Sequence, residues 1–324
     1  MKSWYLVSGA NDAALELRDT AVPEPGPRQM LLRMHAAALN RGEFIVGHGL
    51  SKPGTSKPAG MEGAGEVVTV GAEVRGFKPG DRVMGRCAGA FSEYSLVDAR
   101  EAMHVPEGLS YEAAASIPLA FLVVHDMLVL QGRLKAGEWV LVTGVSSGVG
   151  VASLQAAKAL GARVIGTSGS KEKLAKLAPL GLDVALETRK PDFHEAVMQA
   201  TGGRGVDLVV NTVGGSVFAE CVRCMAFEAR LATVGYVDGV LEAPMDIQAL
   251  HAKRLTLFGV SNKQRTPEQR AAGVPAFATQ LLPAFGDGRI VPLVDSVLPF
   301  AQLPAARERM EQNRHAGKIV VSIP

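Results

Sequence analysis

One segment limits the folds open to this 324-residue chain more than any other. The apolar run Val140–Thr143 is followed by a turn of small residues, and Val149–Leu160 then carries apolar residues at helical spacing. Small residues let the backbone approach a ligand closely, and the free N–H groups at a helix N-terminus attract anions. The order of buried strand, tight turn and amphipathic helix therefore predicts a turn that binds the pyrophosphate of a dinucleotide.

The rest of the chain shows two patterns around this turn. Strands and helices alternate after it, which predicts a parallel, doubly wound α/β sheet of the Rossmann type. Before it, roughly the first 100 residues read as short strands separated by Gly and Pro, which predicts a mostly antiparallel β unit. The clearest strands of this unit are Met30–His35, Gly65–Val70, Arg82–Gly85 and Phe91–Val97.

The glycines of the turn depart from the G-x-G-x-x-G spacing, because Val145 and Ser147 occupy its first two glycine positions. A Gly-rich turn that binds nothing is the alternative, but the flanking strand and helix both favour a cofactor site. The predicted phosphate contacts come from Ser146, Ser147, Gly148, Val149 and Gly150.

The end of the next strand, Arg163–Thr167, selects between cofactors. An NAD site usually offers a carboxylate here, which accepts hydrogen bonds from the ribose diol. This chain instead continues with Ser168-Gly169-Ser170-Lys171-Glu172-Lys173. Hydroxyls and lysines suit a 2′-phosphate dianion. We therefore predict NADPH, held in part by Ser168 and Lys173; solvated lysines at the start of a helix are the alternative reading.

Composition excludes several other classes of protein. The net charge is +2 with both signs interspersed, so no basic stripe predicts a nucleic-acid surface. No apolar run reaches the roughly 18 residues of a membrane span, and Met1–Tyr5 does not resemble the start of a signal peptide. Three Cys are too few for a disulfide framework, so a reducing, cytoplasmic setting is expected. From the charge and hydropathy above, neither nucleic-acid nor membrane partners are expected.

Several separate motifs resemble one known family. They are Leu39–Glu43, Gly60–Val67, Gly80–Val83, Gly89–Tyr94, Ala114–Ala120, Val206–Gly215 and His315–Val320. With the cofactor turn, these motifs resemble the medium-chain dehydrogenase/reductase superfamily, in its zinc-independent quinone oxidoreductase branch. The resemblance implies a β-rich catalytic domain of the chaperonin-10-like kind at residues 1–121 and 263–324. It also implies a Rossmann cofactor domain at residues 122–262, an active site in the cleft between the domains, and a homodimer.

The resemblance implies further contacts to the cofactor. These come from Asn40, Thr188, Asn211, Val213, Gly235 and Arg314. Thr188 stands where relatives often have a Tyr that stacks near the adenine phosphate, and a threonine side chain cannot stack. Asn211 replaces a usual Asp. For Arg314, a solvated residue at a helix end is the alternative.

Catalytic zinc requires three protein ligands of the Cys, His or carboxylate type. Zinc-dependent relatives carry Cys and His where this chain has Asn40 and Met61, and an amide and a thioether are poor zinc ligands. Cys221 and Cys224 form a lone pair inside a predicted helix. No metal site is therefore expected.

Without a metal, reduction of a conjugated C=C is the easiest chemistry for such a site. Hydride goes to the β-carbon and negative charge builds on the carbonyl oxygen, so the protein supplies position and one or two hydrogen-bond donors. A small quinone, enone or similar compound is the expected substrate. The candidate catalytic residues are Asn40, Glu62 and His125. Asn40 would donate a hydrogen bond to the substrate or to the cofactor ribose. Glu62 either acts at the reacting centre or only orders its loop, and His125 is either a proton donor or a packed helix residue.

Two departures from the branch concern the substrate. Relatives often read Thr-Ala-Tyr where this chain has Val123-Val124-His125, so a hydroxyl is lost. The loop Ile45–Leu50 lacks the usual Tyr, and its His48 is either a specificity residue or an exposed loop histidine. Three alternatives therefore stay open: a zinc-free alcohol dehydrogenase, an enoyl-thioester reductase, and a non-catalytic scaffold that binds NADPH.

Overall fold

The structure, a computed structural model, describes residues 1–9, 12–45 and 53–324, which divide into two units. Unit 1 comprises Met1–Leu122, Asn262–Asp287 and Pro292–Pro324. Unit 2 comprises Val123–Ser261 and Gly288–Val291. Within these described ranges, every helix is too short or too polar to cross a lipid bilayer.

Strands and helices are numbered here in chain order. The strands are β1 Lys2–Ser8, β2 Ala13–Asp19, β3 Gln29–Ala38, β4 Ser56–Pro58, β5 Glu62–Val70, β6 Arg82–Ala88, β7 Tyr94–His104, β8 Trp139–Thr143, β9 Arg163–Ser168, β10 Val184–Glu187, β11 Val206–Asn211, β12 Met225–Thr233, β13 Thr256–Gly259, β14 Val294–Pro299 and β15 Lys318–Ser322. The helices are α1 Tyr111–Ala115, α2 Pro118–His125, α3 Gly148–Ala159, α4 Lys171–Leu177, α5 His194–Ala200, α6 Phe218–Arg223, α7 Ile247–Ala252, α8 Pro267–Ala271, α9 Val274–Gln280, α10 Pro283–Gly286 and α11 Leu303–Glu311.

Unit 1 is built mostly from antiparallel strands. A small sheet has the order β2-β1-β4, and a larger one has the order β14-β15-β3-β5-β6-β7. In the larger sheet β3 also pairs with β7, which closes β3, β5, β6 and β7 into a ring. Leu32 and Met34 of β3 are fully buried in the core of this ring. A side chain at Gly65 of β5 would overlap the backbone of Arg33, so glycine is what allows the two strands to approach so closely there.

Unit 2 is a parallel sheet in the order β10-β9-β8-β11-β12-β13. The central strands β8 and β11 are apolar and buried, as expected of strands covered by helices on both faces. The chain order reverses between β8 and β11. Doubly wound sheets bind ligands at the carboxyl ends of the strands beside such a reversal. In this sheet the strands from β8 to β12 end at Thr143, Ser168, Glu187, Asn211 and Thr233.

The predicted elements match the observed ones closely where the apolar pattern is strong. The sequence pattern predicts a helix over Lys171–Leu177 and a strand over Lys318–Ser322, and helix α4 and strand β15 have these bounds. It predicts a strand over Arg230–Gly235, but β12 begins at Met225, because Met225 pairs in register with β11. It also predicts one helix over Phe121–Gln131, where the structure has α2 followed by the π-helical turn Asp126–Gln131.

Arg230 of β12 joins three segments of unit 2. Its guanidinium donates to three backbone oxygens, those of Gly132, Asp207 and Arg133, at 2.6, 3.0 and 3.2 Å. It also pairs with Glu138 at 2.8 Å, and only 9% of its side chain is exposed. A buried guanidinium with this many partners holds the start of β8 against β11 and β12.

Replacing Arg230 with Leu should lower the free energy of unfolding by about 3 kcal/mol, because Glu138 and three carbonyl groups lose a buried partner. Urea-induced unfolding followed by circular dichroism measures this loss. The matched control is Lys176→Leu, which removes an exposed ion pair with Glu172 in the same unit. That control should lose less than about 1 kcal/mol. Equal losses in the two variants would contradict the assigned role of Arg230.

Candidate functional site

The turn after β8 leaves backbone donors free at the start of α3. Ser147 caps the helix, because its hydroxyl accepts from the backbone N–H of Gly150 at 3.1 Å. Within the described part of the chain, the N–H groups of Gly148 and Val149 have no acceptor. A side chain at Gly150 would overlap the backbone of Val145, so glycine lets the helix start approach the turn. This arrangement fits an anion at the helix N-terminus.

The end of β9 lies beside this turn. The hydroxyls of Ser146 and Ser168 are 3.1 Å apart, which brings together two of the predicted cofactor contacts. Ser170 caps α4 by accepting from the backbone N–H of Lys173 at 3.3 Å. Lys173 therefore lies in the first turn of a helix that begins just after Ser168. Two hydroxyls and the helix turn that carries Lys173 therefore lie at the end of β9, where the sequence predicts a 2′-phosphate site.

Arg189 also lies at this point, although sequence reasoning did not select it. Its side chain lies against Gly169, where any larger residue would overlap the arginine Nε and Cγ. The guanidinium of Arg189 has no hydrogen bond or ion pair among the residues described. The signal that could have found it is its position directly after Thr188, at the end of the strand that pairs with β9.

Thr188 uses its hydroxyl within its own turn. The hydroxyl donates to Asp192 Oδ1 at 2.6 Å and accepts from the backbone N–H of Lys190 at 2.9 Å. The backbone N–H of Thr188 donates to the carbonyl of Ser168 at 3.1 Å. Thr188 thus holds the segment that carries Arg189 beside the end of β9. A direct contact of Thr188 with a cofactor stays a prediction.

Asn211 closes the turn that follows β11. Its Oδ1 accepts from the backbone N–H groups of Val213 and Gly214 at 3.0 and 3.1 Å, and its amide donates to the carbonyl of Gly214 at 2.9 Å. The side chain is fully buried. Val213 and Gly235 follow β11 and β12 at the same edge of the sheet, and the hydrogen bonds of Asn211 fix the backbone after β11.

Two other predicted residues meet in unit 1. Glu62 is fully buried at the start of β5, and Asn40 follows the end of β3. Asn40 Nδ2 donates to Glu62 Oε1 at 2.9 Å. Lys318 of β15, which sequence reasoning did not select, donates to Glu62 Oε1 at 2.7 Å and to Asn40 Oδ1 at 2.8 Å. The backbone N–H of Leu119 donates to Glu62 Oε2 at 2.7 Å.

These contacts decide what each side chain can do. Glu62 accepts from three donors, one of which is the buried ammonium of Lys318, so it holds its neighbours in place. Asn40 has one remaining amide proton, directed at the carbonyl of Ala38 over a long 3.5 Å contact. That proton is weakly bound and can serve as a donor to a ligand.

Glu43 is a second buried carboxyl near Glu62. It is 2% exposed, and its Oε1 accepts from the backbone N–H of Gly60. Its Oε2 has no partner among the described residues. Burial raises the pKa of Glu43 from its ordinary value of 4.5 to about 7, and the hydrogen bond from Gly60 only partly opposes this. Glu43 therefore changes charge near neutral pH.

The remaining predicted residues are not part of either cluster. His125 is 1% exposed at the end of α2, and Arg314 is exposed after α11 in unit 1. His48 lies outside the described residues.

Cys221 and Cys224 are buried, and burial raises the pKa of both thiols. Among the residues described, no three His, Cys, Asp or Glu side chains are grouped so that they could hold a metal ion.

Glu43→Gln should make stability less dependent on pH. A carboxyl whose pKa is raised by folding stabilises the folded state below about pH 4.5, and this contribution is lost as pH rises through about 7. The loss amounts to about 3 kcal/mol in the native protein. Urea unfolding from pH 4.5 to 8 measures it, with the exposed Glu107→Gln as control. Parallel pH profiles for the native protein and Glu43→Gln would rule out the titration of Glu43.

Both the sequence and the fold match known proteins. The family model described as "Alcohol dehydrogenase GroES-like domain" matches residues 26–107, and the model described as "Zinc-binding dehydrogenase" matches residues 148–278. The chain is 30% identical over 313 residues to a phenolphthiocerol/phthiocerol polyketide synthase of Mycobacterium tuberculosis, and the match covers 96% of this chain. It spans only 14% of the length of that synthase.

Two mycobacterial structures resemble the whole chain. One, solved in complex with NADPH, has a TM-score of 0.86 and 29% identity and covers 100% of both chains. The other, a quinone oxidoreductase, has a TM-score of 0.85 and 29% identity and also covers 100% of both chains. The predicted fold class, a Rossmann sheet with a GroES-like β-rich unit, is confirmed. The two family models and these whole-chain matches show that the chain belongs to the medium-chain dehydrogenase/reductase superfamily.

Proposed function

We propose that this protein is a zinc-independent, NADPH-dependent reductase that transfers hydride to a small quinone, enone or similar activated carbonyl compound. The observation that carries the proposal is the group of anion-binding donors at the carboxyl edge of unit 2. It combines free N–H groups at the start of α3 with hydroxyls and cations at the end of β9. No carboxylate stands at the end of β9, where an NAD enzyme would present one to the ribose diol.

The residues present fit NADPH. The N–H groups of Gly148 and Val149 suit its pyrophosphate, and the closeness that Gly150 permits has no other evident use. Lys173 and Arg189 suit its 2′-phosphate, since a guanidinium forms paired hydrogen bonds with a phosphate. The similar mycobacterial protein solved with NADPH supports this choice.

NADPH bound at these residues would supply a hydride for the β-carbon of the conjugated substrate. The carbonyl oxygen gains negative charge, and the second amide proton of Asn40 is the donor suited to stabilise it. Lys318 and Glu62 hold that amide in one orientation. A proton from water completes reduction at the α-carbon. The ion pair between Lys318 and Glu62 favours a positioning role for Glu62 over one in proton transfer.

Two other activities and one non-catalytic role are open for the same site. Reduction of an enoyl thioester follows the same chemistry, and the match to a segment of a polyketide synthase favours it as the second candidate. A non-catalytic scaffold would bind NADPH without oxidising it. A zinc-free alcohol dehydrogenase is the least favoured reading, because the described cluster around Asn40 offers no evident base for an alcohol proton.

Oxidation of NADPH with a panel of quinones, enones and enoyl thioesters tests the proposal. Turnover of quinones or enones, undiminished by a metal chelator, is expected. Turnover of the thioesters alone would select the second candidate. Tight NADPH binding with no turnover of any compound would select the scaffold.

Arg189→Leu should raise the Kd for NADPH about tenfold, because the 2′-phosphate loses a paired charge. The Kd for NADH, which lacks that phosphate, should change less than about twofold by the same reasoning. Quenching of protein fluorescence measures both affinities. Lys176→Leu, on an exposed position of α4, is the control and should leave both unchanged. An equal loss of affinity for the two cofactors would rule out 2′-phosphate recognition by Arg189.

We also propose that the protein forms a homodimer through β13, an edge strand of the sheet in unit 2. The free backbone N–H and C=O groups of an edge strand can pair with the same strand of a second copy of the protein. Leu257 of β13 is 37% exposed, and Phe227 of the neighbouring strand β12 is 64% exposed.

Sedimentation at micromolar concentration should show a dimer, and Leu257→Lys should shift it to a monomer by placing charge on the edge. Val297→Lys is the matched control, because Val297 is 47% exposed on β14, an edge strand of unit 1. A native protein that sediments as a monomer would contradict this assembly.

A further inference from the structure

Arg86 is a charged residue on β6 that none of the roles above uses. It pairs in register with Glu62 of β5, so the two side chains lie on the same face of the sheet. The pairing of β6 with β7 shifts between Gly85 and Cys87, where four residues of β7, between Val97 and Ala102, lie opposite the single residue Arg86. The regular pairing with β7 is therefore interrupted at Arg86. Arg86 is thus a direct neighbour of the cluster formed by Asn40, Glu62 and Lys318.

The guanidinium of Arg86 lacks the partners that a sheltered arginine normally has. Only 24% of its side chain is exposed, and its ion pair with Glu101 is a long contact of 3.9 Å. It makes no hydrogen bond with any residue that the structure describes. An arginine offers five N–H donors and keeps its charge, so donors left without acceptors are unfavourable in a sheltered position.

The two carboxylates near Arg86, those of Glu62 and Glu101, already accept hydrogen bonds from other cations. Glu101 accepts two hydrogen bonds from Arg270, each 3.0 Å long. Glu62 accepts from Lys318 and from two further donors. Lys318 and Arg270 therefore each have a close carboxylate partner, whereas Arg86 has only the long contact with Glu101.

The only other carboxyl that acts on Arg86 here, among the described residues, is Glu43. Glu43 is protonated below about pH 7 and does not neutralise the arginine there. Burial and the positive charge of Arg270 both lower the pKa of Arg86. Below about pH 7, where Glu43 is protonated, Arg86 therefore has no close anionic partner, and its free, planar donors suit an oxyanion.

We propose that Arg86 binds a carboxylate or phosphate group of the substrate, so that the preferred substrates are conjugated carbonyl compounds with an acidic substituent. The inference rests on the proposed function, because it places the substrate beside Asn40. The guanidinium would hold the anionic end while the carbonyl oxygen faces the amide of Asn40. Arg86 is thereby a specificity residue and takes no part in hydride or proton transfer.

A matched pair of substrates tests this directly. The acid 6-oxohept-4-enoate and its methyl ester have the same enone and differ in the charge of the remote end. The native protein should reduce the acid with a kcat/KM at least about tenfold above that of the ester, through a lower KM. A native protein that shows no preference, or that prefers the ester, would overturn the inference without any need for a variant.

Variants then assign the preference to Arg86. Arg86→Leu should abolish the difference by raising KM for the acid about tenfold or more, with kcat and the ester little changed. Arg86→Lys should keep part of it, since a charge remains without the paired donors. Arg28→Leu, at an exposed arginine of unit 1, is the control and should behave as the native protein does. Equal losses for acid and ester in Arg86→Leu would contradict the assignment.

Direct binding separates this inference from the proposed function. Calorimetry with glutarate and with inorganic phosphate, at fixed ionic strength, measures anion affinity in the native protein and in Arg86→Leu. Tighter binding of glutarate identifies a carboxylate site, and tighter binding of phosphate identifies a phosphate site. Anion binding that depends on Arg86, without turnover of either substrate, would support the site while the proposed function fails. Equal turnover of acid and ester would uphold the function and refute the site.

Discussion

The buried ion pair between Lys318 and Glu62 is the interaction on which unit 1 most depends. Its 2.7 Å contact joins residues 256 positions apart in the chain. A carboxylate and an ammonium lose much hydration on burial, and only close pairing with further hydrogen bonds compensates for this. The pair has those bonds, because Lys318 also donates to the carbonyl of Leu39 at 2.9 Å and to Asn40. The C-terminal strand is therefore part of the site and not an appendage to it.

The same pair sets the character of the site around Asn40. Glu62 accepts from three donors, so it fixes the geometry of the residues around it. The amide nitrogen and the amide oxygen of Asn40 are both hydrogen-bonded, and the second N–H of the amide makes only a long contact. Orientation is the main contribution of such a site to a hydride transfer, since the reactive hydride belongs to the cofactor.

The anion sites proposed in the two units are built differently. In unit 2, the proposed donors are backbone N–H groups at the start of α3, hydroxyls and the free guanidinium of Arg189. In unit 1, the donors come from a single side chain, Arg86, in a region where the other cations already have partners. In both places the absence of an available carboxylate, among the residues described, is what leaves the donors free. A change that introduced Asp or Glu near either position would neutralise it.

The sequence alone determined the Rossmann sheet and the cofactor turn. Their signals are local: an apolar strand, a small-residue turn and a helix within Val140–Leu160, and hydroxyls with lysines directly after Arg163–Thr167. The bounds of α4 and β15 also followed from local periodicity. The β-rich unit was predicted in outline, although β1 and β2 were not identified.

Only the tertiary structure decided which side chains meet. Lys318 reaches Glu62 across nearly the whole chain, and no local pattern connects the two. Arg189 comes to the end of β9 through the pairing of β9 with β10, and Arg86 stands beside Glu62 through the register of β5 and β6. Periodicity and turn chemistry are properties of neighbouring residues, whereas ion pairing and strand register depend on how distant segments pack.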